Sequence, residues 1–204
     1  MNTLSEIQHD TLVELFNIGV GRAAAALSSM VGEEITLSVP SLDFLHRHDA
    51  SLALSVGEAD KNVCGVTQHF SGVFNTDVVL MFPEAKSLEL VRLMVGESIP
   101  LDQLTEMEQE AMTEIGNVIL NSCMGTMADI LAGEMHGSLP TYRVGTSEQI
   151  LVAPGKGDDI VIVLRIDFHL EKIKLYGHVA FVMNADSMQS VCDHIDRYLS
   201  GFNL

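Results

Sequence analysis

Two stretches of the chain set acids and amides in matching order. Asp10, Glu14 and Asn17 stand in the first, and Glu110, Glu114, Asn117 and Asn121 stand in the second. Beyond the two matched asparagines come Pro40 and Pro140, again at equal spacing. On a helix, at about 100° per residue, positions 110, 114, 117 and 121 fall within an arc of about 60°, a polar line about 16 Å long. Carboxylates and amide oxygens are hard donors, so a cation is one chemistry open to such a line. Each stripe holds only one or two carboxylates and no histidine beside them, which is thin for a resident metal cage. The plain alternative is the wet face of an amphipathic helix. That reading leaves the asparagines unexplained, because Lys, Gln or Glu would make a better exposed helix.

The elements that must carry these lines can be read from caps and periodicity. A helix is predicted over 5–31, with Ser5 as N-cap and Gly32 as its stop. A second is predicted over 105–132, with Thr105 and Glu108 as a capping box and Gly133 at its end. Met112, Ile115, Ile119 and Leu120 would face the core. Strand-like runs cover 34–45, 50–59, 63–72 and 72–83 in the first half, and 137–144, 148–154, 158–171 and 174–184 in the second. Shorter helices are predicted over 84–96 and 185–199. The stretch 97–105, ESIPLDQLT, is the best linker, and 153–159, APGKGDD, the clearest hairpin turn.

Helix, strands, helix therefore occurs twice. Shifted on itself by 100 residues, the chain aligns Glu14 with Glu114, Asn17 with Asn117, Glu34 with Glu134, Ser38 with Ser138 and Pro40 with Pro140, without a gap. The fold expected is α+β: an internally duplicated helix–strands–helix unit with pseudo-two-fold symmetry, an antiparallel sheet and two long site-bearing helices. The repeats are 1–98 and 103–204 of one domain.

Composition narrows the function. Of 204 residues, 47% are hydrophobic and 19% charged, which is globular, and the net charge is −17. So acidic a surface repels phosphate backbones and anionic lipid, so neither nucleic-acid binding nor membrane insertion is expected, and a partner with a basic or metal-bearing face suits it better. No apolar run is long enough to span a bilayer, and the first ten residues lack a signal-peptide pattern. Cys64, Cys123 and Cys192 form no CxxC and read as reduced thiols, so a cytoplasmic location is expected. His46 and His48 are read as alternating on a strand, and His169 and His178 as lying on successive strands; without a third ligand both pairs are taken as surface histidines. Met81, Met94, Met112, Met124 and Met127 are taken as core filler. Neither GVGRAAA nor PGKGDD has phosphate-loop spacing.

The doubled pattern Asp10-x3-Glu14-x2-Asn17-x22-Pro40 and Glu110-x3-Glu114-x2-Asn117-x22-Pro140 resembles the signature of the CheC/CheX/FliY family of chemotaxis phosphatases. ELFNIGVGRAAAALSSM resembles that family's first helix. The resemblance runs over essentially the whole chain, whose length is that of the CheC-like members. It implies a phosphatase acting on the aspartyl phosphate of a CheY-type response regulator, with no cofactor of its own and with Mg²⁺ carried by the regulator. It implies that Asn17 and Asn117 orient the attacking water and that Glu14 and Glu114 pair with the receiver's lysine. Asp10, Glu110 and Asn121 would meet the partner, with Asn121 also placed to support Asn117. The implied work is largely positioning, for which a neutral amide with both donor and acceptor is suited. A small residue at Gly116, beside Asn117, would let the partner's phosphorylated loop come close. The alternative is a non-catalytic adaptor that binds a response regulator or a CheD-like receptor deamidase through the same acidic face. Gly21-Arg22 replaces the family's frequent Gly-Asn, so the second site is expected to be the stronger.

Overall fold

The structure, a computed structural model, describes residues 4–55, 62–95, 101–151, 160–169 and 174–201. The expected hairpin turn at 153–159, residues 97–100 of the expected linker, and the side chain of Met94 lie outside the described residues. Helix α1 (Glu6–Val31) starts where Ser5 caps it: the Ser5 hydroxyl accepts the Gln8 N–H, and the Gln8 side chain accepts the Ser5 N–H at 2.9 Å. It ends at Gly32, whose φ of 76° lets its N–H turn back to the Ser28 carbonyl. After it come β1 (Thr36–His46), α2 (Arg47–Ser55), β2 (Asn62–Gly72), β3 (Thr76–Pro83) and α3 (Glu84–Val95). The second half runs α4 (Leu101–Ile130), β4 (Met135–Gly137), β5 (Thr141–Thr146), α5 (Ser147–Leu151), β6 (Ile160–His169), β7 (Lys174–Met183) and α6 (Ala185–Ser200).

Several boundaries differ from those predicted. Helix α4 begins at Leu101, so Thr105 lies inside it and is not its N-cap. The Glu108 carboxylate accepts the hydroxyls of Ser87 and, at 3.0 Å, Tyr142. Two predicted strands are helices over their described residues, 50–55 and 148–151; 56–59 and 152–154 lie outside the described residues. In 50–59 the alternation of Ala and Leu with Ser imitates a strand, but α2 buries Ala50 and Ser51 together and leaves Leu52 exposed. In 148–154, Thr146 and Gln149 form a capping box that opens α5 and buries Ile150 and Leu151. His46 thus ends a strand and His48 lies in a helix, so the two do not alternate on one strand. Nor do His169 and His178 pair: their partners in the ladder are Lys174 and Arg165.

The seven strands among the described residues form one antiparallel sheet. Its order is β1-β6-β7-β3-β2, with β4 and β5 both paired to β2. Exchanging β1 with β5, β2 with β6 and β3 with β7 reads the order β1-β6-β7-β3-β2-β5 backwards. The outer strand of each half lies on the other half's sheet, β1 on β6 and β5 on β2, so the halves interlock. One sheet face carries the larger core, where α1, α3, α4 and α6 bury Leu12, Phe16, Leu27, Val91, Met112, Ile119, Met124 and Ile195. The other face carries a smaller core under α2 and α5, built from Ala50, Val79, Met81, Ile150, Leu151, Val161, Val163, Ala180 and Val182.

Helices α1 and α4 touch closely. A Cβ on Gly19 would stand 2.8 Å from the Cys123 Cα, so only glycine permits that approach. Arg22, at the position that departs from the family pattern, reaches Asp129 on α4 at 2.8 Å. Both side chains are more than half exposed, so this tie adds little to stability.

Candidate functional site

The close contact between the long helices decides where the two polar lines point. Gly19 follows Asn17 by two residues and Cys123 follows Asn121 by two, about 200° around each helix. The helices therefore meet through the backs of their stripes, and the stripes face away from each other. They are two separate candidate sites. In the first, Asp10, Glu14 and Gly21 are exposed and Asn17 is half-buried; in the second, Glu110, Glu114 and Asn121 are exposed and Asn117 is half-buried. Glu14, Glu110 and Glu114 bond to none of the described residues. Asp10 has only its neighbour His9, at 3.5 Å.

Each asparagine is held by its oxygen. The Asn17 Oδ1 accepts the Val39 N–H at 3.2 Å. Val39 and Pro40 lie where the β1–β6 ladder breaks between Ser38 and Ser41. Proline has no N–H to give the ladder, and the backbone donor beside it is taken up by the asparagine. The Asn17-x22-Pro40 spacing thus has a structural cause. In the second site, Asn121 Nδ2 donates to Asn117 Oδ1 at 2.7 Å and to the Asn117 backbone carbonyl at 2.8 Å.

Amide orientation is normally an assignment, but here the partners fix it. A backbone N–H can only donate, so the Asn17 atom facing it is oxygen. A backbone carbonyl can only accept, so the Asn121 atom facing it is nitrogen, and the Asn117 atom beside that nitrogen is oxygen. Both site amides therefore keep their Nδ2 and one Oδ1 lone pair for other partners, with a glutamate one turn before on the same line. The lack of an asparagine at position 21 does not leave Asn17 unheld, which removes the premise on which the second site was expected to be stronger.

A cleft of about 550 Å³ opens along the second stripe, between Gln109, Glu110, Thr113 and Glu114 on one wall and Pro140, Thr141 and Tyr142 on the other. Leu139, next to Pro140, is 87% exposed. The segment before it is tied to β2: Ser138 donates its N–H to the His69 carbonyl at 2.8 Å, and its hydroxyl accepts the His69 N–H at 3.0 Å. Spacing and motif do not point to three residues that shape this site: Gln68, Glu108 and Tyr142. Gln68 does carry a signal of another kind. It shares the inward phase of β2 with Cys64, Val66 and Phe70, where a polar side chain needs a reason.

Burial raises the Tyr142 hydroxyl well above its ordinary range, with Cys64 and Glu108 nearby adding to the shift, so it stays a donor to Glu108. Burial also lifts the thiols of Cys64 and Cys123 to about 12. Both are sealed in the core and neither is a nucleophile at neutral pH. The folded state keeps these protons at a pH where the unfolded chain has lost them. Their contribution to stability is full below an unfolded thiol pKa of about 8.5 and is lost as pH rises through about 12. The urea midpoint is therefore expected to fall from pH 8.5 upward, and Cys123→Ala should flatten that fall. An equally steep fall in Cys123→Ala would assign it to other groups. Among the described residues, no three His, Cys, Asp or Glu side chains gather to hold a metal ion. No helix among them is long and apolar enough to cross a membrane.

No family model matches the chain. Comparison with curated proteins finds 23% identity over 201 residues to a Bacillus subtilis protein named CheY-P phosphatase CheC, covering 93% of this chain and 94% of that protein. Among solved structures, Thermotoga maritima FliY superposes with a TM-score of 0.77 at 18% identity, over 96% of this chain and 99% of that one. The Borrelia burgdorferi CheX–CheY–BeF₃–Mg²⁺ complex matches with a TM-score of 0.53 at 17% identity, over 85% of this chain and 98% of that one. The chain is CheC-like along nearly its whole length, and it has the FliY fold.

Proposed function

We propose that this CheC-like chain hydrolyses the aspartyl phosphate of a CheY-type response regulator at two sites, one on each repeat, 1–98 and 103–204. The observation that carries the reading is the pair of outward amides, each locked through its oxygen and each preceded by a free glutamate. The similarity to a CheY-P phosphatase and the shared fold with a CheX bound to CheY support it.

Hydrolysis here needs few groups. The oxygen of a water attacks phosphorus, the bond to the aspartyl oxygen breaks, and the carboxylate returns to the receiver while the proton leaves with phosphate. A Mg²⁺ carried by the receiver would neutralise the charge that develops. What the phosphatase adds is a water held in line. The second Oδ1 lone pair of Asn17 or Asn117 accepts that water's O–H, and Nδ2 donates to the phosphoryl group. Oδ1 is already bonded on its other side, so the amide does not need to be ordered at the moment of reaction. Glu14 and Glu114 would repel the phosphate if they faced it and are assigned to the receiver's lysine, which sets register.

The direct test is decay of a phosphorylated receiver with and without the protein. Acceleration supports the reading. Binding of the receiver without faster decay would leave the adaptor role. Reversing both acids, in Glu14→Arg with Glu114→Arg, is expected to raise KM for the phosphorylated receiver by roughly tenfold or more and to weaken its salt dependence. An unchanged KM would remove the lysine-pairing role.

A further inference from the structure

Gln68 is 3% exposed, the one amide among the buried polar side chains of the described residues, and the function proposed above does not use it. It lies on β2 in the first half, yet it points beneath the stripe of the second. Its Nε2 donates to the Ser138 carbonyl at 2.7 Å. That carbonyl can only accept, so the nitrogen end of Gln68 faces Ser138 and the oxygen end is left for Asn121, whose Nδ2 lies 3.4 Å away. Asn121 in turn holds the Asn117 oxygen at 2.7 Å. The links run in order: a backbone carbonyl sets Gln68; the two Nδ2 protons of Asn121 serve the Asn117 carbonyl and Oδ1, one of them shared with the more distant Gln68 oxygen; and Asn121 sets Asn117.

Packing keeps this chain of bonds in place. A Cβ on Gly137 would stand 2.8 Å from Gln68 Nε2, 2.9 Å from the Phe70 ring and 3.4 Å from Asn121 Oδ1. The backbone of β4 therefore lies directly on both amides and holds them against α4. The first half has no equivalent. The register that sets Thr67 opposite Thr141 sets Arg165 opposite Ser41, so the position matching Gln68 is Ile166, apolar and fully buried. There the Val39 N–H holds the asparagine directly.

We infer that Gln68 is a positioning residue for the Asn117 amide, acting through Asn121, so that the second site is completed by a side chain from the other half of the chain. Its bearing on turnover rests on the phosphatase reading; the orientation itself does not.

Two measurements separate them. In the free protein, side-chain amide resonances report orientation without any substrate. Wild type should show an NOE between the Asn121 amide protons and the Gln68 side chain. Gln68→Met, of similar length and without polar atoms, should shift the Asn117 and Asn121 amide pairs and leave the Asn17 pair in place. In an Asn17→Ala background, where only the second site works, Gln68→Met should lower kcat on the order of tenfold, the scale of a small misplacement of a positioning group. KM for the phosphorylated receiver should hold, since Gln68 is buried and out of the partner's reach. An absent NOE, an unmoved Asn117 pair, or a change in KM alone would overturn the inference. Should Gln68→Met fail to fold, the wild-type NOE still decides it. Should wild type not speed receiver decay at all, the phosphatase reading falls and the amide resonances alone decide this one.

Discussion

Asn17→Ala combined with Asn117→Ala is expected to cut the acceleration of phospho-receiver decay on the order of a hundredfold, with receiver binding kept. Both amides leave, and with them the acceptor that holds the water and the donor that meets the phosphoryl group. The acids and the cleft remain, so docking should survive. Each single variant is expected to leave about half the activity, because the stripes face apart and work independently. Stability should not confuse the result, although it will move. Alanine is the better helix former by about 0.6 kcal/mol at each position. At Asn17 this gain is opposed by the stranded Val39 N–H, whose cost is about 1–3 kcal/mol when unsatisfied. At Asn117 the lost acceptor served a side chain that still has the Asn117 backbone carbonyl. Asn17→Ala is therefore the less stable single variant, and thermal melts of both check it. A double variant with undiminished acceleration would end the water-orienting role.

Much of this site is legible in the sequence, for a physical reason. Helical spacing is nearly rigid, so Glu14 and Asn17, or Glu114, Asn117 and Asn121, must share a face once they lie on a helix. The caps at Ser5 and Gly32 are legible too, because they depend on neighbouring residues alone. What sequence does not carry depends on contacts across the fold. The segment of α2 reads like a strand, and only the sheet face it covers makes it a helix; that of α5 is a short apolar run whose capping box, Thr146 with Gln149, is easily passed over. Pro40 marks a repeat but gives no sign that its neighbour Val39 bonds Asn17. Gln68 shows only as a polar residue in the inward phase of its strand, and the packing of β2 against α4 is what places it under Asn121. Gly116 reads as room left for an approaching partner. It is buried instead, and its small size serves the approach of α4 to the sheet.

That approach carries the second large effect. A Cβ on Gly116 would stand 2.5 Å from one methyl carbon of Val66 and 2.6 Å from its Cβ, so α4 lies directly on β2 at this level. In the first half the matching residue is Phe16, whose buried ring packs 4.8 Å from that of Phe181 and fills the space between α1 and the sheet. The two long helices thus meet the sheet in different ways, and this difference accounts for the different holding of their amides. Where glycine lets α4 sit close, a side chain from β2 can reach Asn121; where a phenylalanine intervenes, the backbone of β1 serves instead. Gly116→Val must push α4 from β2. Overpacking of this kind costs about 3 kcal/mol at the upper end of the usual range. For a chain of this size, at about 2–4 °C per kcal/mol, Tm should drop by about 6–12 °C. The displacement also draws Asn121 from Gln68, so in an Asn17→Ala background kcat should fall further than in an Asn117→Ala background, where the first site alone is read. Adding Val66→Ala removes the two methyls in the way but keeps the Cβ contact at 2.6 Å, so it should return only part of the lost Tm. A Gly116→Val protein that melts like wild type would show that α4 does not rest on β2 through this glycine, and the account of why the halves hold their asparagines differently would fall with it.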